Sequence, residues 1–161
     1  MGTTVKKSGK MADFSSFVHF DRRKSRGEQR AMNCRTDYKN MNGIALAYVG
    51  DCVLELKVRT YLLSLGLQDS AALNRNALSF VKASAQSLAF DKIEALLNEE
   101  EQSYYKRGRN THTSKTPKSA TALEYRRATG FEALFGYLYL SGNIDRIDEL
   151  FEIAYSDVEI K

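Results

Sequence analysis

The sequence predicts an all-α fold, and two observations carry that prediction. Apolar residues recur at three- and four-residue steps through most of the chain, the period of helices that bury one face. Proline occurs once in 161 residues, so little in the chain interrupts helix. A chain of this length buries a core without staples, and one folded domain is expected, over residues 41–161.

Residues 1–40 read as a basic tail, flexible or loosely docked. They hold ten Lys/Arg against four Asp/Glu, scattered among glycine and serine without sustained periodicity. Phe14, Phe17, Val18 and Phe20 form a small apolar cluster able to dock on the body, and Met11, Met32 and Met41 are alternative starts. Asp13, Asp21 and Glu28 speak against a transit peptide, and Lys6 stands where a myristoylation signal needs serine or threonine.

The first helix is expected from Asn42 to Leu65, stopped by Gly66. Its core stripe is Leu46, Val49, Val53, Leu56 and Leu63, with Tyr48, Asp51, Cys52, Glu55 and Arg59 on the neighbouring stripe. A short helix follows over Ser70–Phe80 with Ser70 as N-cap, then an amphipathic helix over Val81–Leu97 carrying Leu88, Ile93 and Leu96. Asn98 caps Glu99–Arg107, whose acids lie in the first turn and bases in the last, as the helix dipole prefers. Gly108–Pro117 is a loop. A long helix over Ala120–Ser141 ends at Gly142, and Asn143 caps a last one, from Ile144 to about Tyr155.

Net charge is +4, but residues 41–161 hold fourteen bases against sixteen acids. Any nucleic-acid surface on the folded part is therefore a local patch. No apolar run is long enough for a membrane span. Two distant cysteines, Cys34 and Cys52, make no disulfide framework, and a reducing, cytoplasmic setting is expected.

Two apolar helical runs carry a glycine beside an acid: Val49-Gly50-Asp51-Cys52-Val53 and Phe131-Glu132-Ala133-Leu134-Phe135-Gly136. Each glycine should cost its helix about 1 kcal/mol against alanine, which points to close backbone approach. If the two helices pack at their glycines, Asp51 and Glu132 converge, and a hard divalent cation is the usual remedy for such repulsion. Each acid could instead pair with an arginine, Arg59 for Asp51 and Arg126 or Arg127 for Glu132, and spacing alone does not choose. Lys106-Arg107-Gly108-Arg109-Asn110, continuing through Lys115 to Lys118, has five Lys/Arg and no acid. Such donors suit phosphate oxygens, although a solvated basic turn has the same composition. His112 has no second ligand nearby and is not a zinc site.

Three blocks together resemble the ribonuclease III catalytic domain, in its small branch. Asn42-Gly43-Ile44-Ala45-Leu46-Ala47-Tyr48-Val49-Gly50-Asp51 is similar to the signature helix. Lys106-Arg107-Gly108-Arg109-Asn110 is similar to the branch's basic motif, and Tyr125-Arg126 with Thr129-Gly130-Phe131-Glu132-Ala133-Leu134 to the second acidic helix. The resemblance spans roughly Asn42 to Tyr155. It implies an all-α homodimer that cuts double-stranded RNA, leaving 5′-phosphate and 3′-hydroxyl ends, without a separate double-stranded-RNA-binding domain. The implied substrate is a precursor stalk of large-subunit (23S) ribosomal RNA. Asp51 and Glu132 are the implied catalytic and metal-holding acids, with magnesium as cofactor and manganese as a substitute. Lys106, Arg107, Arg109, Asn110, Lys118 and Arg126 make up the expected RNA-binding set.

Larger ribonuclease III enzymes carry further acids at positions that here are Ala47, Ile44 and Thr129. Two protein carboxylates are therefore expected at the site, with water and RNA phosphate completing the shell. Thr121 stands where the branch often has an acid, which bears on anchoring of the loop. Glu55 lies one turn beyond Asp51 and is expected to pair with Arg59 rather than to serve the site. The rival readings are a non-catalytic RNA-holding or ribosome-assembly factor of the same fold, and a helical interaction scaffold.

Overall fold

The computed structural model describes residues 37–111 and 120–161, all within the compact unit Cys34–Lys161. Residues 1–36 of the expected tail, and His112, Lys115 and Lys118 of the basic run, lie outside the described residues. Six α-helices occur among the described residues: α1 (Gly43–Ser64), α2 (Ser70–Val81), α3 (Ala83–Ile93), α4 (Glu99–Arg109), α5 (Ala122–Leu140) and α6 (Ile144–Ala154). No strand occurs among the described residues, as the periodicity predicts.

Helix α5 is the axis of the domain. It is buried almost all round from Ala128 to Leu138, and α1, α3, α4 and α6 pack on it, α1 most extensively. The α1–α5 contact is backbone against backbone. A Cβ on Gly50 would lie 1.7 Å from the Glu132 carbonyl oxygen, and one on Gly136 would lie 2.0 Å from the Leu46 carbonyl oxygen. Gly108 and Gly130 do the same for α4 on α5, where a Cβ on Gly108 would meet the Thr129 carbonyl oxygen at 2.6 Å.

Glycine packing also corrects the expected α1 stripe. The buried residues are Gly43, Leu46, Ala47, Gly50, Leu54, Val58 and Leu62, while Leu56 and Leu63 are exposed. Counting only large side chains rotated the stripe off its true centre, because the innermost positions are the ones with least side chain. Asp51, expected among apolar neighbours, accordingly lies at the open edge of the contact.

Several boundaries differ from expectation for local reasons. Asp69, not Ser70, caps α2, its carboxylate accepting from the Ala72 amide at 2.8 Å. Lys82 is extended and splits the expected Val81–Leu97 helix, leaving α3 to end in a 3-10 turn over Glu94–Leu96. Leu88 and Leu96 are exposed as a result. Asn98 caps α4 as predicted, in a reciprocal box with Glu101, and α4 runs on through Arg109. The expected start of the basic loop is therefore helical. Thr121 is the N-cap of α5, boxed with Glu124. Asn143 makes no cap with its side chain, which donates instead to the Ser141 hydroxyl. Gly66 and Gly142 follow their helices with φ of +84° and +80°, conformations open to glycine at little cost.

Two clamps hold α4 in place. The Arg146 guanidinium donates to the buried Glu101 carboxylate at 2.8 Å and to the Leu96 carbonyl at 2.8 Å, joining α6 to the start of α4. At the other end, Arg107 Nη1 donates to the carbonyls of Lys39 (2.8 Å) and Met41 (2.9 Å), with its guanidinium 4.6 Å above the Tyr104 ring. Tyr38 joins the same cluster, its ring 6.0 Å from that of Tyr137, so packing on the body reaches back to the residues just before α1.

Overpacking usually costs about 1–3 kcal/mol, and an added methyl at Gly50 meets backbone that cannot rotate away. Gly50→Ala is expected to lose more than about 3 kcal/mol in urea unfolding. Gly66→Ala, at a position with open space but positive φ, should lose only about 1–2 kcal/mol. Equal losses would show that the helix crossing yields.

Candidate active site

The close crossing of α1 and α5 fixes where their acids stand. Gly50 touches the Glu132 backbone, so Asp51 on α1 and Glu132 on α5 flank one point of contact. Glu132 is half-buried, and its carboxyl is pushed up to about 7. Burial is the main cause; the Asp51 charge adds to it, and a hydrogen bond from the Gln86 side chain opposes it. The Asp51 carboxyl is also raised from its ordinary value, first by partial burial and then by the Glu55 charge.

Neither acid finds a cation among the described residues. Arg59 Nε donates to Glu55 at 2.6 Å, as expected, and is not available to Asp51. Arg127 pairs with Asp91 and lies 5.5 Å from the Phe90 ring centre. Arg126 is exposed and donates to the Ala122 carbonyl of its own helix at 3.3 Å. Of the two readings left open by spacing, arginine pairing is therefore not the one formed. The described residues contain no group of three or more His, Cys, Asp or Glu arranged to hold a metal. Two carboxylates are what the site offers: Ala47 and Thr129 are buried, Ile44 is an exposed apolar side chain, and the Thr129 hydroxyl donates to the Tyr125 carbonyl at 3.0 Å.

The fit to a hard divalent cation rests on this charge pattern. Two carboxylates close enough for the charge of one to oppose ionisation of the other, with no basic partner among the described residues, are favourable only when a cation or protons join them. The residues present suit magnesium, which binds through one or two carboxylates and keeps the rest of its shell for water and phosphate.

The expected RNA-binding residues divide into two groups. Lys106 is exposed at the last turn of α4, and Arg109 lies beside it, 5.8 Å from the Tyr105 ring and bonded to the Asn110 side chain at 3.2 Å. Arg107 is drawn inward by its two backbone acceptors and organises the chain before α1. Lys118 lies outside the described residues.

One site residue escaped the sequence reading. Gln86 on α3 is 1% exposed and reaches Glu132, yet it belongs to no motif. The available signal was a polar residue on the stripe that includes Phe90 and Ile93, where burial demands a partner.

Burial disfavours the Glu132 anion, so the fold retains a proton that the unfolded chain releases near 4.5. Stability without metal should fall as pH rises from about 4.5 to about 7 and stay level above. Glu132→Gln lacks this charge. In chelator its melting temperature is expected to match the wild type at pH 4 and exceed it by roughly 2–6 °C at pH 8. A constant gap across that range would mean that the Glu132 carboxyl is not under this strain.

Residues 44–143 match the family profile described as Ribonuclease III domain. Mini-ribonuclease 3 from Clostridium tetani (strain Massachusetts / E88) is 43% identical over 122 residues, covering 74% of this chain and 80% of that protein. Mini-ribonuclease 3 from Enterococcus faecalis (strain ATCC 700802 / V583) is 47% identical over 116 residues, covering 71% of this chain and 88% of its relative. The crystal structure of a protein from Fusobacterium nucleatum superposes with a TM-score of 0.68 at 34% identity, over 74% of this chain and 91% of that one. The all-α fold, its glycine-mediated crossing and these relatives lead to one assignment: the chain belongs to the ribonuclease III domain family, and it is an endoribonuclease.

Proposed function

We propose that this endoribonuclease cleaves double-stranded RNA at a site where Asp51 and Glu132 hold a divalent cation, magnesium or in its place manganese. The observation that carries the proposal is the unpaired state of these two neighbouring acids, since each arginine within sequence reach is bonded elsewhere. A cation bound there supplies Lewis acidity for hydrolysis of the phosphodiester, leaving 5′-phosphate and 3′-hydroxyl ends. Asp51 and Glu132 contribute the negative oxygens that bring it to the α1–α5 contact. Lys106 and Arg109, with Asn110 beside them, hold backbone phosphates, a mode of contact that reads the A-form shape rather than the bases. Lys118 and Arg126 are placed in the same phosphate-binding set. Arg107 acts on RNA indirectly, by fixing the helix end that carries Lys106 and Arg109.

The working unit is proposed to be a homodimer. Ile44, Tyr48, Leu56 and Leu63 are exposed on α1, and a second copy is the occupant expected to cover part of this face. Two sites related by a twofold axis would cut both strands with a stagger. The proposed substrate is a precursor stalk of large-subunit ribosomal RNA, processed in the cytoplasm. The exposed free thiol of Cys52 suits a reducing compartment, and no helix among the described residues is long and apolar enough to cross a membrane.

A non-catalytic RNA-holding factor is disfavoured by the same acids, because a phosphate binder gains nothing from unneutralised negative charge at its ligand. Asp51→Asn is expected to lower magnesium-dependent cutting of a duplex RNA at least 100-fold while leaving binding at low salt within about twofold. A wild-type protein that retains duplexes uncut in magnesium would favour the rival. Lys106→Ala combined with Arg109→Ala should weaken duplex binding and lower the salt dependence by about one unit of log–log slope for each phosphate no longer neutralised. An unchanged slope would remove these residues from the RNA surface.

A further inference from the structure

The grip of Arg107 on the chain before α1 is more than the start of that helix requires. Asn42 already caps α1, its side chain accepting from the Ala45 amide at 2.9 Å. Arg107 Nη1 nevertheless donates to the Lys39 carbonyl at 2.8 Å as well as to that of Met41 at 2.9 Å. Lys39 lies in a 3-10 turn over Tyr38–Asn40, where the Met41 amide donates to the Tyr38 carbonyl at 3.2 Å. The Tyr38 ring meets Tyr137 at 6.0 Å, and Tyr137 stacks at 3.9 Å on Tyr104, the ring that carries the Arg107 guanidinium. The backbone of Lys39 is thus fixed against the end of α4, yet the residue is exposed. It makes no ion pair among the described residues. Asp37, the acid nearest in sequence, accepts instead from the Asn40 side chain at 2.6 Å.

We propose that Lys39 is a third cation of the phosphate-binding surface, seated beside Lys106 and Arg109 by the bond from Arg107 to its carbonyl. This deepens the reading of Lys106 and Arg109 as duplex-binding residues and rests on it. Helix geometry gives the arrangement. At about 3.6 residues per turn, Arg109 falls about 60° to one side of Lys106 around α4, and Arg107 about 100° to the other. Lys106 therefore stands between Arg109 and the side on which Arg107 reaches Lys39. The acceptors of Arg107 are neutral carbonyls, so its own positive charge is not cancelled and adds to the local field. The start of α1 abuts the same place, since a Cβ on Gly43 would run into the Arg107 carbonyl. Asp51 lies eight residues further along α1, about 12 Å at roughly 1.5 Å per residue. The ligand assigned to Lys39 is accordingly a backbone phosphate flanking the cut, not the phosphate that is cut. Lysine suits that task, because a point charge on a flexible stem follows a phosphate without demanding bidentate geometry.

The test is duplex RNA binding by the full-length protein, in chelator to suppress cutting, followed by fluorescence anisotropy over a range of salt concentrations. Lys39→Gln is expected to bind about tenfold more weakly at low salt and to lower the log–log salt slope by about one unit. Lys39→Arg keeps the charge and should keep the slope. The position is exposed, so both variants should melt as the wild type does, and a change in packing alone would not move the slope. Arg107→Lys retains a charge on a different stem and tests the seating. On that background, Lys39→Gln should lower the slope by clearly less than on the wild type. A wild-type slope in Lys39→Gln, against a lowered one in the Lys106→Ala, Arg109→Ala double variant, would overturn the role of Lys39 alone. A lowered slope in Lys39→Arg would do the same. The same loss from Lys39→Gln on both backgrounds would overturn the seating by Arg107. A wild-type slope in the double variant would overturn the RNA surface beneath them all.

Discussion

The contact of α1 with α5 at Gly50 and Gly136 is the constraint on which the remaining structure depends. Side chains normally keep helix axes 8–10 Å apart. Here a Cβ on either glycine would run into the backbone of the other helix. That closeness brings Asp51 and Glu132 to one place although they stand 81 positions apart in the chain. It also explains a cost otherwise hard to justify, since glycine weakens the interior of a helix. The second pair of glycines, Gly108 and Gly130, presses α4 onto α5 in the same way, so the basic helix end and the acidic site share one buried axis.

Charge distribution divides the domain into structural and chemical parts. Six acids of the described body have a basic partner: Glu55 with Arg59, Asp91 with Arg127, Glu101 and Glu149 with Arg146, Asp148 with Lys57, Asp157 with Lys92. The two acids at the helix crossing differ from the solvated ones in that the Glu132 carboxyl is largely buried and the Asp51 charge works against its ionisation. A fold optimised only for stability would neutralise them or replace them with apolar groups. Their persistence as a repelling pair is a strained arrangement of the kind found at functional sites.

Much of this was legible from the residues alone. The helices, the stops at Gly66 and Gly142 and the Asn98 cap follow from spacing and cap chemistry, and the convergence of Asp51 with Glu132 followed from two glycine–acid pairs. What escaped was set by tertiary contact. The centre of the α1 stripe fell on Gly43, Ala47 and Gly50, which periodicity scales count as weak or neutral. Arginine partners could not be ranked from spacing, because Arg127 reaches Asp91 across 36 positions. Arg107 looked like its basic neighbours, and its bonds to the carbonyls of Lys39 and Met41 could not be read from spacing. Gln86 could not be linked to Glu132 without knowing that α3 lies on that side of α5.

The Arg107 clamp has a practical corollary for anyone engineering shorter versions of this protein. Met41 is an inviting place to begin, one residue before the Asn42 cap of α1. A polypeptide starting there would lose the Lys39 carbonyl that shares Arg107, and would strip the ring of Tyr38 from Tyr137. The amino terminus of the signature helix would then fray beside the very arginine meant to steady it. Purification tags are better appended well upstream of Asp37.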